Sequence, residues 1–166
     1  MSKNIQITSS KKADRTDIVT GTATFSMSKG ELWKYADHPH KLTPHCINLS
    51  GFVTDDTIQV GSHIEETHSF IGWRQRYVGA IKSVIKDEEW SMYTAPIGFG
   101  PFPLPHFVKY SFRDLSEGQS RLTISCEYKA GGLLSLPGVR TIVRNIMARA
   151  IGKLLLVPGI GQNNQS

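Results

Sequence analysis

The segment Leu136 to Val157, LPGVRTIVRNIMARAIGKLLLV, constrains the fold more than any other part of this chain. Val139, Ile142, Val143, Ile146, Met147, Ala150, Ile151, Leu154 and Leu155 recur at steps of three and four, so they share one helical stripe. Pro137 suits a first helical turn, where its missing N–H is no loss, and Pro158-Gly159 stops the helix. At about 1.5 Å per residue, some twenty residues give roughly 30 Å of helix. That length crosses a small domain or a bilayer. Arg140, Arg144, Arg149 and Lys153 interrupt the run, and charges of this kind are costly in lipid. The reading is a long amphipathic helix that must lie across an apolar surface, and the preceding residues say what that surface is.

From Asp17 to Ser26 the sequence is rich in Thr and Val and alternates, which predicts a strand. Ser28-Lys29-Gly30-Glu31 has the form of a capping box opening a short helix through Leu32, Trp33 and Tyr35. Pro39 and Pro44 confine the next segment to a second short helix or a turn. Then come strands: 48–53, 58–70, 74–85, 90–95, 106–113 and 121–129, with turns at Asp55-Asp56, Ile71-Gly72, Lys86-Asp87-Glu88 and Ser116 to Gln119. The stretch PIGFGPFPLP, 96–105, holds four prolines and cannot be regular strand. Sequential strands with short turns imply an antiparallel meander, and its apolar face needs a cover. The long helix is the element that fits, giving an α+β fold. The domain reading is a loosely ordered start at 1–16, one domain over 17–157 and a tail at 158–166.

The 166 residues suit one domain, and 39% apolar residues suffice for a core. The net charge of +5 is mostly dispersed and compatible with weak contact with an anionic membrane surface. No nucleic-acid motif appears. Residues 1–17 lack an apolar h-region, and Cys46 and Cys126 have no redox or metal spacing, so the expectation is a cytoplasmic protein with reduced thiols. His38-Pro39-His40 lacks a nearby third ligand and Gly98-Phe99-Gly100 lacks a strand-to-helix context; neither a metal nor a cofactor is expected. A monomer or homodimer fits equally.

Three local features carry a family resemblance. Glu31-Leu32-Trp33 followed by Asp37 and Pro39, the segment from Gly100-Pro101-Phe102 through His106 to Phe112, and Gly131-Gly132-Leu133-Leu134 before the Arg-spaced helix occur in one order. Together, over roughly 17–156, they resemble the START-like (SRPBCC) superfamily, which includes polyketide cyclases/dehydrases and lipid-transport proteins. The resemblance implies the helix-grip fold: a curved antiparallel sheet wrapped around a long C-terminal helix, two short helices after the first strand, and an internal cavity for a hydrophobic small molecule.

Strand parity indicates what faces that cavity. Leu122, Ile124, Cys126 and Tyr128 share one face of the last strand; Val108 and Phe112 bring His106 and Tyr110 inward. Ile64 and Phe70 bring Glu66 and His68, while Ile81 and Ile85 bring Trp73, Gln75, Tyr77 and Gly79. The expected catalytic group is His106, Glu66, His68 and Tyr110. Gln75, Tyr77, Tyr128, Trp73, Cys126, Ile146 and Met147 are expected to touch the ligand, with Phe99, Phe102 and Leu104 doing so from the Pro-rich loop, read either as a lid or as a plain connection. Histidine exchanges protons near neutral pH, a Glu buried among apolar groups is expected to ionise late and act as an acid, and tyrosines can steady an enolate. Trp33 reads as core and Cys126 as an inert thiol. These features favour a cofactor-independent cyclase, dehydratase or aromatase over a non-catalytic carrier of a lipid, quinone or other apolar ligand.

Overall fold

The computed structural model describes residues 4–14, 16–42, 49–53, 57–70, 73–98, 104–116 and 118–156, with the backbone alone at 49–53, 70 and 73. The strands are β1 (Gln6–Lys11), β2 (Asp17–Phe25), β3 (Leu49–Val53), β4 (His63–Phe70), β5 (Trp73–Ile85), β6 (Glu89–Pro96), β7 (His106–Ser116) and β8 (Gln119–Tyr128). The helices are α1 (Lys29–Ala36), α2 (Pro39–Leu42) and α3 (Pro137–Leu154), the last preceded by a 3₁₀ turn at Gly132–Ser135. One antiparallel sheet runs in the order β1-β2-β8-β7-β6-β5-β4-β3. The meander from β3 to β8 is the expected one, and β2 closes against the far side of β8.

Alternation places the core. In β2, β7 and β8 every second residue is buried, so Val19, Ala23, Phe25, Val108, Phe112, Leu122 and Ile124 line one continuous face. The capping box forms as the sequence predicts: the Glu31 N–H donates to Ser28 Oγ, and the Ser28 N–H donates to the Glu31 carboxylate at 2.9 Å. It fixes α1 so that Trp33 packs edge-to-face on Phe112, with ring centroids 5.0 Å apart. Trp90 Nε1–H donates to the Ala36 carbonyl at 2.9 Å, which ties the end of α1 to β6.

The long helix begins with Pro137 in its first turn and ends at Leu154, slightly shorter than the apolar run suggests. It packs chiefly on β1 and β2. Gly21 permits that approach: a Cβ built there would sit 2.4 Å from Ile151 Cγ2 and 2.8 Å from Leu155 Cδ1. Val143, Ile151 and Leu154 are buried, but Ile142 is 54% exposed, so the buried stripe is narrower than the sequence reading makes it.

Three other expectations are corrected. Residues 6–11 are not a loose start; they form the edge strand β1, paired from Gln6↔Thr22 to Lys11↔Asp17. All six side chains are exposed, so the strand is held by its ladder and leaves no hydrophobic alternation to read. The strand expected over 58–70 begins only at His63, because 58–62 form a turn with Gly61 at φ +94° and the Ser62 N–H donating to the Gln59 carbonyl. In β5 the pairing with β6 shifts between Ile81 and Ser83, which reverses the faces beyond that point. Ile81 is buried as expected, whereas Ile85 is 50% exposed.

Candidate functional site

The register of the sheet assembles the polar side chains of the inner face. His106 on β7 lies opposite Thr94 on β6 and Tyr128 on β8, and Tyr128 lies opposite Asp17 on β2. On the other side Glu66 pairs with Tyr77, and His68 with Gln75. The outcome is a polar row crossing six strands at the end of the apolar face.

At its centre is a closed network. Thr94 Oγ1–H donates to Glu66 Oε2 at 2.7 Å and lies 3.0 Å from His106 Nε2. His106 Nε2 is 3.3 Å from the same carboxylate oxygen, and His106 Nδ1–H donates to the Leu104 carbonyl at 2.9 Å. Glu66, Thr94 and His106 are all buried. A threonine hydroxyl has one proton, drawn here toward Glu66. With Nδ1–H on Leu104, His106 Nε2 faces both Thr94 Oγ1 and the carboxylate. The electrostatics favour a proton on that nitrogen. Burial pushes the Glu66 carboxyl up, but the close contact with His106 and the nearby imidazoles of His106 and His68 outweigh it and hold the group well below the usual range. Burial opposes protonation of His106, but the bond to Glu66, its negative charge and the Leu104 carbonyl together raise the imidazole above its ordinary value. The expectation that Glu66 is a late-ionising acid is thereby corrected: its carboxyl ionises early, and the proton of the pair rests with His106, the stronger base.

His68 and Tyr77 flank this pair. His68 Nε2 stands 3.7 Å from Glu66 Oε2, beyond hydrogen-bond distance, and its ring packs 4.4 Å from that of Tyr77 and 5.2 Å from that of His106. Burial, with the charge of Glu66, pushes the Tyr77 hydroxyl up to about 12 against a hydrogen bond from the Leu104 backbone, so Tyr77 keeps its proton. Leu104 thus clamps both Tyr77 and His106 through its main chain. Gln75 Nε2 donates to the Ile97 carbonyl at 2.8 Å. Several inner-face atoms are buried without a hydrogen-bond partner: Asp17 Oδ1 and Ser120 Oγ, and, nearest this pair, His68 Nε2, Gln75 Oε1 and the Tyr128 hydroxyl.

Other residues fall away from this centre. Tyr110 lies four residues along β7, about 13 Å away. Its ring stacks on Trp90 with centroids 3.8 Å apart and planes at 11°, so it belongs to the core and not to the expected catalytic group. Cys126 is buried, and burial pushes its thiol up to about 12, in keeping with an inert cysteine. Ile146 and Met147 are half-buried on α3. Phe99, Phe102 and the Trp73 side chain lie outside the described residues, and with them the question of a lid. Beyond Tyr128, Arg140 Nε donates to buried Asp17 Oδ2 at 2.7 Å and joins α3 to the end of β2. Thr94 was missed in the sequence. Its parity with buried Trp90 and Met92 was available, but a threonine in a strand usually signals propensity alone.

Glu66, His68 and His106 also constitute a metal-ligand set, one atom from each lying within 4.8 Å of the others. Sequence spacing cannot show this, because the residues come from β4 and β7, which meet only through β5 and β6.

Similarity to known proteins is structural. No protein-family model matches the chain, and no curated protein sequence matches it. Protein Ms6760 from Mycobacterium smegmatis superposes with a TM-score of 0.61 at 18% identity, over 92% of this chain and 98% of that one. A START superfamily protein from Mycobacterium smegmatis gives 0.61 at 11% identity, over 84% and 92%. The chain has the START-like helix-grip fold. Ara h 8.0201 shares it, with a TM-score of 0.58 at 15% identity over 84% of this chain and 95% of that one. At these identities the START-like likeness speaks for the fold alone. No helix among the described residues is long and apolar enough to cross a membrane.

Proposed function

We propose that the protein binds an apolar, oxygen-bearing small molecule against the inner face of its sheet and promotes its cyclisation with loss of water. The observation that carries this reading is the buried Glu66–Thr94–His106 network beside three partnerless polar atoms, His68 Nε2, Gln75 Oε1 and Tyr128 OH. Leaving buried polar atoms unpaired costs about 1–3 kcal/mol each, and a ligand's oxygen atoms would recover that. On a β-polyketone a carbonyl oxygen takes the place of the Glu66 carboxylate as acceptor of the His106 Nε2–H. The Glu66 carboxylate accepts a proton from the adjacent carbon, and the enolate closes on a second carbonyl of the chain. Glu66 passes its proton to the alkoxide that forms; it then takes the second proton of the same carbon as His106 protonates the departing hydroxyl, water leaves, and the Glu66 proton passes back to His106. Apolar side chains along β7 and β8 fold the chain so that the reacting carbons meet.

The test is turnover of a linear β-polyketone thioester by the wild type, Glu66→Gln and His106→Ala. Loss of about 10²–10⁴-fold is expected, the range for a positioned acid or base. Turnover within a few-fold of wild type in both folded variants overturns the reading.

A non-catalytic carrier is the second reading, favoured by one specific surface. Leu133 (80%) in the 3₁₀ turn, Leu136 (52%) at the N-cap of α3 and Ile142 (54%) on α3 are exposed, and α3 also carries Arg149 and Lys153. An apolar and basic helix surface suits an anionic membrane from which a lipid or quinone could be taken up. Salt-sensitive sedimentation with anionic vesicles, abolished by Leu133→Ser with Leu136→Ser, supports the carrier; no binding at low salt rejects it.

A further inference from the structure

We propose that Glu66, His68 and His106 form a binding site for a divalent cation of the zinc class, held by one carboxylate oxygen and two imidazole nitrogens. The inference gives the same centre a metal as its electrophile in place of the His106 proton, and it does not depend on the reading above, since metal uptake is read without any substrate.

The donor set is right in kind and in number. Two histidines and one carboxylate, leaving one position open, make up a common catalytic zinc site, and imidazole with carboxylate also suits its first-row neighbours. The distances fit as well. Bonds of about 2.1 Å in a tetrahedral site place neighbouring ligand atoms about 3.4 Å apart. Glu66 Oε2 stands 3.3 Å from His106 Nε2 and 3.7 Å from His68 Nε2, on either side of that value. The widest separation in the set is within 4.8 Å, so one ring must move inward by at most about 1.4 Å. His68 is the ring able to do so: its side chain is 26% exposed and its Nε2 has no hydrogen-bond partner.

The surroundings are those a ligating histidine needs. His106 donates its other nitrogen's proton to the Leu104 carbonyl at 2.9 Å, which fixes the tautomer in which Nε2 can coordinate. Thr94 orients the carboxylate by donating to Glu66 Oε2 at 2.7 Å. The cation would take the place of the Nε2 proton of His106, relieving the requirement that a buried imidazolium sit beside the carboxylate. Among the described residues no other group of three His, Cys, Asp or Glu side chains meets these terms. His38 and His40, whose rings lie 5.0 Å apart near Asp37, provide a built-in control.

The experiment is titration of chelator-treated, full-length protein with Co²⁺, followed by displacement with Zn²⁺. One equivalent should bind, with visible d–d absorption between about 500 and 650 nm of tetrahedral strength, abolished by Zn²⁺. Binding should weaken at least 100-fold in His68→Gln and His106→Gln, and stay unchanged in the double variant His38→Gln, His40→Gln. His68→Gln keeps the test decisive if the buried variants fail to fold, because His68 is partly exposed. As a second readout, saturating Zn²⁺ should raise the Tm of the wild type and leave that of His68→Gln unmoved. No visible band, or a band that persists in His68→Gln, overturns the site. Turnover that survives exhaustive chelation, together with no Co²⁺ uptake, would reject the metal while leaving the proton-transfer reading in place.

Discussion

Gly79→Ala is the substitution through which the sheet and the site can be tested together. Gly79 lies on β5 directly opposite Thr94, the residue that bonds both Glu66 and His106. A Cβ at position 79 would fall 1.8 Å from the Tyr93 carbonyl oxygen and 2.8 Å from Thr94 Cα, and both neighbours are backbone. Normal carbon–oxygen contact is about 3.3 Å, so β6 must retreat by roughly 1.5 Å. A ladder bond of about 2.9 Å stretched by that amount is broken. Two such losses in a buried part of the sheet, at about 1–3 kcal/mol each, place the expected destabilisation at about 2–6 kcal/mol. The same displacement carries Thr94 out of reach of its partners. Guanidinium unfolding provides the first readout, and the imidazole ¹⁵N shifts of His106 the second. Gly152→Ala on α3, where an added Cβ meets nothing within 4 Å, is the control and should be neutral or stabilising by about 0.5–1 kcal/mol. If Gly79→Ala unfolds within about 0.5 kcal/mol of wild type with His106 unshifted, the coupling of strand approach to the site is wrong.

Two further outcomes come from the electrostatics. Glu66→Gln, measured in chelator-treated protein, removes one partner of a buried pair and should cost about 3 kcal/mol. Glu66 is lowered and His106 raised, so the pair stabilises fully between about pH 4.5 and 6.5. Its contribution fades as pH falls through the folded value of Glu66 or rises through that of His106; a stability difference from wild type that is flat with pH would refute the pair. Cys126, with its thiol at about 12, should react with iodoacetamide at pH 8 no faster than global unfolding exposes it, and rapid native alkylation detected by mass spectrometry would show the β8 face to be open.

The legible part of the fold was the part written in periodicity. The α3 stripe, the alternation in β2, β7 and β8 and the Ser28–Glu31 box are local patterns with local causes, and each formed where the residues put it. β1 was illegible because an exposed edge strand held by backbone hydrogen bonds leaves no mark on side-chain pattern. The bulge at Ile81–Ser83 was illegible for a related reason: it is a property of the pairing, not of β5 alone. Parity did bring Glu66, His106, Gln75, Tyr77 and Tyr128 to one face. It could not separate Tyr110 from them, since distance along a strand is invisible to a rule about sides. Nor could it assign the proton. Burial alone predicts a neutral Glu66; the imidazoles of His106 and His68, brought in from β7 and β4 itself, reverse that outcome.

The most direct test of the central claim, that a ligand's oxygen end is held at Glu66, His68 and His106, is long-range ¹H–¹⁵N spectroscopy of the imidazole rings. The protein would be titrated with 1-tetralone and with hydroxynaphthalenes, apolar probes that carry a single oxygen function. The account predicts saturable shifts of His68 and His106 while His38, His40 and the exposed ring of His63 stay in place. Saturable binding that leaves His68 and His106 unmoved, or no binding across the series, would contradict it.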